Sequence, residues 1–459
     1  MPSNKKVKTV YVCQQCGHQA PRWAGQCPEC GEWNTLVEQI RETRRSTGTL
    51  NVNGGFRARP QPLRDVNVDS YARYRIPLEE FNRVLGGGIV PGSLMLIGGD
   101  PGIGKSTLLL EVASMMADAI GPVLYVSGEE SAQQIKMRAD RLGLNAENLY
   151  LLSEVNLDLI LQELSELKPR AAIIDSIQTV YLEELMASAG SVSQVRECAS
   201  RLQHLSKSQG MPIFIVGHVT KTGAIAGPRV LEHIVDVVLY LEGDRYHAFR
   251  LLRSTKNRFG ATNEVGVFAM EQGGMKEVLN PSEAFLADRA ETFAGSSIAV
   301  TMEGSRPLLV EVQALTSTTS FALPRRTGNG VDMNRLLLMI AVLSKRVGMN
   351  LSNQDVFVNV IGGLKVSEPA ADLSLAAAIA SSYRDLPIPI DMTLIGEVGL
   401  SGELRSINHT ERRLSEAAKL GYRRCVVPHS ILRRVDVPEG LELLGARNLN
   451  EALEAALRR

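Results

Sequence analysis

GDPGIGKST, residues 99–107, follows the apolar run SLMLIG (93–98) and precedes LLLEVASMMA (108–117), which is typical of a helix. Its spacing fits G-x-x-x-x-G-K-[ST], with Gly99, Gly104, Lys105 and Ser106 at the fixed positions. Glycines let the backbone turn its N–H groups toward phosphate oxygens, and the helix adds the positive end of its dipole. The stretch therefore predicts a strand, a phosphate-binding loop and a helix, and with them an α/β fold that binds a nucleoside triphosphate.

Each residue of this loop is expected to contact the nucleotide. Lys105 is predicted to reach the β- and γ-phosphates, and Ser106 is predicted to hold Mg²⁺. ATP and Mg²⁺ are therefore the expected cofactors. The other predicted nucleotide-binding residues of the loop are Gly99, Asp100, Pro101, Gly102, Ile103, Gly104 and Thr107.

Two further apolar runs end in carboxylates. The run AAIID (171–175) ends at Asp175, which is predicted to bind nucleotide through Mg²⁺ as its second protein ligand. The run VLYVSGEES (123–131) reaches Glu129 and Glu130, one of which is predicted to polarise the attacking water. The alternative is a plain helix start, capped by Ser131, where acids suit the helix dipole. The sequence does not choose between the two glutamates.

Basic residues cluster in two downstream segments. RSTKNRFG (253–260) contains Lys256 and Arg258, which face the same way if the segment is extended. We expect both to stabilise the transition state at a neighbouring subunit's γ-phosphate; an exposed basic edge strand is the alternative. GHVTKTGAIAGPRVLEHIVD (217–236) is predicted to track a nucleic-acid backbone, with a plain surface loop as the alternative. The candidate DNA-binding residues are Lys221, Arg229 and Arg253.

Four of the six cysteines form two C-x-x-C pairs that lie ten residues apart. In a reducing cytosol this pattern predicts a structural zinc site with four thiolate ligands, because about thirty residues need such a staple to fold. Two unrelated redox pairs are the alternative. Cys198 and Cys425 are expected to be ordinary buried or half-buried thiols. The predicted zinc ligands are Cys13, Cys16, Cys27 and Cys30.

Composition limits the class of protein. The 459 residues suggest about three domains, and 50 basic residues balance 50 acidic ones, so a nucleic-acid partner needs local charged patches. No apolar run approaches the roughly 18 residues of a membrane span, and the first residues lack the apolar core of a signal peptide. A cytoplasmic protein, nucleoid-associated when bound to DNA, is expected.

Changes in composition and in the spacing of apolar residues predict four regions along the chain. They are a zinc ribbon over 1–37, a polar linker over 38–70, an α/β domain over 71–285 and an α+β domain over 286–459. In the third region, apolar strands alternate with helices, which indicates a parallel sheet with ligands at its carboxyl edge. In the fourth, the alternation is lost. The expected strands of the third region are SLMLIGG, VLYVSGEE, AAIIDS, MPIFIVGH and VDVVLYLEG.

The four-cysteine ribbon, GDPGIGKST, AIAGPRVLEH (224–233) and KNRFG (256–260) together resemble the RadA (Sms) family of bacterial DNA-repair proteins over essentially the full chain. The resemblance implies a RecA-like ATPase core that assembles as a homo-hexamer and is stimulated by single-stranded DNA. It also implies an ATP-driven motor that acts with the RecA recombinase in strand exchange and in the branch migration of branched DNA. By the same likeness, Lys256 and Arg258 would act on the next subunit's nucleotide.

The C-terminal region resembles the protease domain of Lon in DVFVNVIGG (355–363) and GEVGLSGELRSI (396–407). Lon-type proteases use a Ser–Lys dyad, but Ala371 stands at the serine's place here and Glu411 at the lysine's. No peptidase activity is therefore expected, and the domain is interpreted as a ring-forming scaffold that holds DNA. Candidates for a basic face, with a scattered solvated surface as the alternative, are Arg306, Arg325, Arg326, Arg335, Lys345 and Arg346.

Two other functions remain open at this point. One is an ATP-dependent protease of the Lon type, against which the missing dyad argues. The other is an ATP-driven switch that assembles with protein partners and moves no DNA. Stimulation of ATP hydrolysis by single-stranded DNA would separate a motor from a switch.

Overall fold

The computed structural model describes residues 7–13, 15, 18–42, 62, 72–218, 230–243, 249–286, 293–321 and 323–457. The chain divides into two compact units. The first comprises Met1–Glu242, Leu252–Thr262 and Glu271–Met275, and the second comprises Gly243–Leu251, Asn263–Met270 and Lys276–Arg459. This division differs from the predicted domain limit at 285/286, because 243–251 and 263–270 cluster with the second unit.

The chain begins with a small antiparallel sheet of order β2-β1-β3. Its strands are β1 (Val7–Cys13), β2 (Gln19–Ala20) and β3 (Leu36–Glu42). β3 pairs with β1 from Cys13↔Leu36 to Val7↔Glu42, so the strand extends five residues into the predicted linker, 38–70. The backbone hydrogen bonds of this ladder therefore continue through 38–42, the first residues of the predicted linker. Of the remaining linker residues, only Pro62 is described.

The second sheet has nine strands in the order β12-β11-β10-β9-β4-β8-β7-β5-β6. The strands from β9 to β6 in this order pair in parallel. The predicted α/β class of this region, with a largely parallel sheet, is confirmed. The strands are β4 (Leu94–Gly99), β5 (Val123–Ser127), β6 (Leu149–Ser153), β7 (Ala171–Asp175), β8 (Ile213–Val216), β9 (Val237–Glu242), β10 (Phe249–Asn257), β11 (Val265–Glu271) and β12 (Gly274–Glu277).

Five helices precede or connect the parallel strands of this sheet. Because helices cover a parallel sheet, its central strands β4, β5, β7 and β8 are buried along their whole length and read as unbroken apolar runs. The helices are α1 (Glu79–Val84), α2 (Lys105–Ile120), α3 (Ala132–Arg141), α4 (Leu157–Leu167) and α5 (Val192–Gln209).

In the second unit, a mixed seven-stranded sheet has the order β15-β16-β14-β13-β17-β20-β21, and β18 pairs with β19 in a separate antiparallel hairpin. The strands are β13 (Ser296–Glu303), β14 (Arg306–Thr318), β15 (Arg326–Asn329), β16 (Gln354–Val360), β17 (Met392–Leu394), β18 (Glu397–Val398), β19 (Leu404–Arg405), β20 (Arg424–Pro428) and β21 (Glu442–Ala446). The helices are α6 (Pro281–Leu286), α7 (Met333–Arg346), α8 (Asp372–Arg384), α9 (Thr410–Lys419) and α10 (Leu449–Ala456).

Helix α8 lies at the centre of this second unit. Its four alanines, Ala376, Ala377, Ala378 and Ala380, are fully buried. Small side chains allow the helix to approach the sheet closely, and Ser374 donates a hydrogen bond to Leu394 O at 2.7 Å. The predicted α+β class of this region is confirmed.

Candidate functional site

The phosphate loop has the backbone that its glycines predict. Gly102 and Gly104 have positive φ values of 77° and 112°, and α2 begins directly afterwards at Lys105. A Cβ atom at Gly99 would lie 2.5 Å from the backbone oxygen of Leu241 on neighbouring β9, so only glycine fits there. The loop therefore leaves the carboxyl end of β4 with its N–H groups at the start of a helix, as an anion site requires.

Lys105 is bound to the loop itself. Its ammonium donates hydrogen bonds to Gly99 O at 2.9 Å and to Asp100 O at 3.0 Å. Burial lowers the pKa of Lys105, while the negative charges of Asp175, Asp100 and Glu129 oppose that shift. The buried ammonium thus binds backbone oxygens of the loop. When a triphosphate is bound, its phosphate oxygens would take the place of these acceptors or be added to them.

Asp175 ends β7 at the same edge of the sheet and is buried. The hydroxyl of Tyr125, on β5, donates a hydrogen bond of 2.6 Å to its Oδ2 atom. Burial, followed by the charge of Asp175, raises the pKa of Tyr125 well above its usual value, so the hydroxyl keeps its proton and remains a donor. The carboxylate is held in one orientation at the position predicted for a metal ligand.

The two adjacent glutamates have different surroundings. Glu129 Oε1 accepts a hydrogen bond of 2.7 Å from the hydroxyl of Ser176 and lies 3.3 Å from Nε2 of His218. Glu130 is paired with Arg138 on α3. Ser131 caps α3 in a reciprocal capping box with Gln134, so the helix-start interpretation is also confirmed. Burial lowers the pKa of Lys105 and the negative charge of Glu129 opposes that shift, which links this glutamate to the phosphate loop.

Lys256 and Arg258 both bind one segment, Glu232–Asp236. The Lys256 ammonium donates to the backbone oxygens of Glu232 and Val235, the latter at 2.9 Å. Arg258 follows the last residue of β10, and its guanidinium contacts Asp236 Oδ1 at 3.2 Å. The two side chains therefore point the same way because they bind the same segment. The alternation of side chains along an extended strand does not explain it, because β10 ends at Asn257.

That segment lies at the edge of the sheet opposite to the phosphate loop. Asp236 N donates to Leu94 O at 2.8 Å, and Leu94 is the first residue of β4, whereas Gly99 is the last. The five intervals from Leu94 to Gly99, at roughly 3.3 Å each, place these two ends of β4 about 16 Å apart. The two cations therefore cannot reach a phosphate in their own subunit's loop.

Only one of the three candidate DNA-binding residues lies in the part of the chain that the structure describes. Lys221 and Arg229 lie outside the described residues. Arg253 on β10 forms an ion pair with Glu242 at 2.8 Å. Among the C-terminal candidates, two arginines form ion pairs: Arg325 with Asp355, and Arg335 with Asp372. Three others donate hydrogen bonds to backbone oxygens: Arg306, Arg326 and Arg346. Lys345 is exposed. Five of these six side chains thus have protein partners.

Three of the four predicted zinc ligands lie together in the ribbon. The sulfur atoms of Cys13, Cys27 and Cys30 are all within 4.8 Å of one another, and Cys13 and Cys30 are 3.6 Å apart. Thiolates around a tetrahedral zinc are separated by about 3.8 Å, given the usual Zn–S distance. The described thiols fit zinc, and the fourth predicted ligand, Cys16, lies outside the described residues. Gly31, directly after the second C-x-x-C pair, has a left-handed backbone, with φ 72°.

The other two cysteines are fully buried. Burial raises the pKa of Cys198 and of Cys425 to about 12, which keeps both as inert thiols, as predicted.

At the place of the Lon-type dyad, Ala370 and Ala371 are buried, while Glu411 is exposed in the first turn of α9. Nearby, Glu368 forms an ion pair with the fully buried Arg413 and accepts the backbone N–H of Met302 at 2.7 Å. Methyl groups and an exposed carboxylate replace the expected nucleophile and base.

Sequence reasoning missed four polar residues of the nucleotide-binding unit: Tyr125, Ser176, His218 and Asp236. Ser176 and His218 are the last residues of the predicted strands AAIIDS and MPIFIVGH, so their position at the strand ends was a usable signal. Tyr125 and Asp236 had none, because their partners lie far away in sequence.

Three family models match parts of the chain. Residues 57–224 match the family described as "AAA domain", residues 11–38 match "Rubredoxin metal binding domain", and residues 330–431 match "Subunit ChlI of Mg-chelatase". Among the described residues, none of the helices combines the length and the apolar character that crossing a bilayer requires.

A solved KaiC-like protein from Pyrococcus horikoshii shows a TM-score of 0.39 at 20% identity and covers 45% of this chain and 99% of that one. At that level of likeness, the fold assignment rests on this chain's own sheet order, its phosphate loop and the family matches.

Curated relatives match nearly the whole chain. The protein named DNA repair protein RadA of Bacillus subtilis is 52% identical over 456 residues, which cover 98% of this chain and 99% of the relative. The protein of the same name from Halalkalibacterium halodurans is 51% identical and covers 99% of this chain and 100% of its own length. The chain therefore belongs to the RadA family of DNA-repair proteins, with a RecA-like ATPase core, a zinc ribbon and a Lon-like C-terminal region.

Proposed function

We propose that this chain is a DNA-stimulated ATPase motor that works as a ring of six subunits in recombinational repair. Single-stranded and branched DNA and the RecA recombinase are its proposed partners. Strand exchange and branch migration are the proposed outcomes, and the nucleoid is the proposed place of action. The family assignment and the phosphate-loop geometry support the ATPase and the DNA-repair role on which this proposal builds.

Within one subunit, residues Gly99 to Thr107 hold the phosphates and Lys105 neutralises their charge. Ser106 and Asp175 would hold Mg²⁺, which supplies charge neutralisation on the β- and γ-phosphates when bound. The buried carboxylate of Asp175, oriented by Tyr125, suits a hard cation. Glu129, held by Ser176, accepts a proton from the attacking water.

The observation that carries the proposal is the position of Lys256 and Arg258. Both cations bind the Glu232–Asp236 segment, about 16 Å from their own phosphate loop by strand length. A cation that stabilises charge on the transferred phosphoryl group must lie beside it. Lys256 and Arg258 therefore serve the nucleotide of an adjoining subunit, as an arginine finger supplied in trans does.

Mixing two inactive variants tests this assignment. Lys105→Ala subunits have a disabled pocket and intact cations, whereas Arg258→Ala subunits have the reverse. In mixed rings, an Arg258→Ala pocket lies beside an intact Arg258 of its neighbour, so ATP hydrolysis returns. No recovery in a mixture that is shown to co-assemble by native mass spectrometry would contradict a shared site.

The DNA contacts proposed for Lys221, Arg229 and Arg253 follow from their positive charge. Arg253 would have to exchange its ion pair with Glu242 for a phosphate, a change that is feasible because both side chains are partly exposed. Peptide hydrolysis is not expected. ATP-driven cleavage of casein would overturn that expectation and favour a Lon-type protease.

A further inference from the structure

The segment Glu232–Asp236 presents three acceptors to the two proposed trans-acting cations. Two are the backbone oxygens of Glu232 and Val235, which bind Lys256. The third is the carboxylate of Asp236, which binds Arg258. Backbone oxygens are fixed by the fold, whereas the carboxylate is a side chain that evolution and mutagenesis can change.

Asp236 is unusually constrained for an acidic residue beside a sheet edge. Its side chain is only 1% exposed, and its Oδ2 accepts the N–H of Leu94 at 3.1 Å. Its own N–H donates to Leu94 O at 2.8 Å, and its backbone oxygen accepts the N–H of Arg258 at 3.1 Å. The carboxylate is therefore attached to the first residue of β4, one of the most buried strands.

The partner of this carboxylate remains accessible. The side chain of Arg258 is 50% exposed although its guanidinium contacts Asp236 Oδ1. One end of the guanidinium is thus held by a buried carboxylate that is hydrogen-bonded to β4, while half of the side chain stays at the surface. A group that acts on a neighbouring molecule needs both properties, because a displacement of about 1 Å can cost up to 100-fold in rate.

We propose that Asp236 is a positioning residue for Arg258: its buried carboxylate fixes the guanidinium in the place from which it reaches the nucleotide of the adjoining subunit. This inference rests on the proposed trans role of Arg258 and adds to it the residue that sets its geometry. In this role Asp236 acts on the reaction through Arg258 and is not a catalytic residue itself.

The chain offers a matched control. Lys207 on α5 contacts the same Oδ1 atom of Asp236 at the same distance, 3.2 Å, and its side chain is also 50% exposed. If Asp236 only stabilises the fold by pairing with cations, loss of either cation should have similar effects. If it positions Arg258, the consequences for catalysis should be confined to Arg258.

The variant Asp236→Asn keeps an acceptor for Leu94 N–H and removes the charge. We expect kcat for ATP to fall about tenfold or more, while the Kd of a fluorescent ATP analogue changes less than about twofold because the phosphate loop is untouched. Lys207→Gln should keep its kcat within about twofold of the unmodified chain, since surface ion pairs contribute little.

Mixed rings distinguish a displaced cation from a damaged fold. Asp236→Asn subunits have an intact pocket, so mixing them with Lys105→Ala subunits, which have a correctly held Arg258, should restore hydrolysis. If Asp236→Asn does not fold, Asp236→Glu keeps the charge and moves the guanidinium by about one bond length, and the same results are expected.

The outcomes separate this inference from the proposed function. Undiminished kcat in the Asp236 variants, an equal loss in Lys207→Gln, or no recovery in mixtures with Lys105→Ala would overturn the positioning role. If the reference mixture of Arg258→Ala with Lys105→Ala does not recover either, the trans role itself fails.

Discussion

Two neighbouring carboxylates, Glu129 and Glu130, acquire different roles from their surroundings. Glu129 receives the Ser176 hydroxyl and lies beside His218, at the edge of the sheet that carries the phosphate loop. Glu130 is neutralised by Arg138 on the helix that follows. A carboxylate that already serves as an ion-pair partner is a poor acceptor for a proton from water, so the structure favours Glu129 as the base.

This assignment predicts unequal effects of two adjacent substitutions. Glu129→Gln should reduce kcat about 10²- to 10⁴-fold, the usual contribution of a general base, with little change in ATP binding. Glu130→Gln is the matched control and should reduce kcat far less, because it removes only a partly exposed ion pair. Steady-state ATPase assays on both variants measure this, and equal losses would contradict the assignment.

Glu111 on α2 is a buried carboxyl outside the proposed chemistry. Its Oε1 accepts the N–H of Met275 at 3.0 Å, while its Oε2 has no hydrogen-bond partner among the described residues. Burial raises its pKa to about 7, so the folded state favours the protonated form. Between the usual pKa of 4.5 and about 7, the unfolded chain releases this proton while the folded chain keeps it. Rising pH therefore lowers the free energy of unfolding over that window.

Because the pKa rises from 4.5 to about 7 and one pKa unit corresponds to roughly 1.36 kcal/mol, the loss amounts to at most about 3.4 kcal/mol. Glu111→Gln carries no titratable proton there and should be more stable than the unmodified chain at pH 8 but not at pH 5. Urea unfolding followed by circular dichroism at both pH values measures the difference. Glu163→Gln, exposed on α4, is the control, and a gain for Glu111→Gln that does not vary with pH would contradict the account.

At the scale of elements, the ribbon depends on its metal more than on its core. The buried apolar cluster there consists of Cys13, Ala20, Cys27 and Leu36, and two of these four are proposed zinc ligands. Without the metal, few apolar contacts remain to offset the entropy of ordering the segment. Zinc removal should therefore unfold the ribbon alone.

The two tryptophans of the chain report on this element, because both Trp23 and Trp33 lie in the ribbon. A strong chelator should change tryptophan emission and leave binding of a fluorescent ATP analogue unchanged, since the phosphate loop lies in a separate sheet. Cys30→Ser should lower the bound zinc, whereas Cys198→Ala should not. Elemental analysis confirms that the zinc has been lost. If tryptophan emission is then unaltered, the ribbon does not depend on its metal.

Elements with clear ends were predictable from the sequence. The stretch VSQVRECASRLQHLSKSQ forms α5, with Ser191 as the cap at its start and Gly210, with φ 66°, at its end. The strand LYLLS, which forms β6, was missed. It lies at the edge of the sheet, so its burial is partial and it lacks the continuous apolar run of the central strands.

Across the whole molecule, the sequence predicted the class of each region better than its limits or its internal contacts. The phosphate loop and Asp175 are local signals and could be read directly. The bond from Tyr125 to Asp175 joins residues 50 apart, and the bond from Leu94 to Asp236 joins residues 142 apart. Such contacts depend on which strands become neighbours in the sheet, and the strand order cannot be read from the residue pattern of a single sequence. The domain limits, the DNA contacts and the ring remain predictions.

The central claim is that ATP hydrolysis in this protein is coupled to DNA. The most direct test measures the rate of ATP hydrolysis by the zinc-loaded full-length chain over a series of single-stranded DNA concentrations, with Lys105→Ala as the blank. The account predicts that kcat rises with DNA to a plateau. A rate that is the same with and without DNA would contradict a motor and leave an ATP-driven switch as the function.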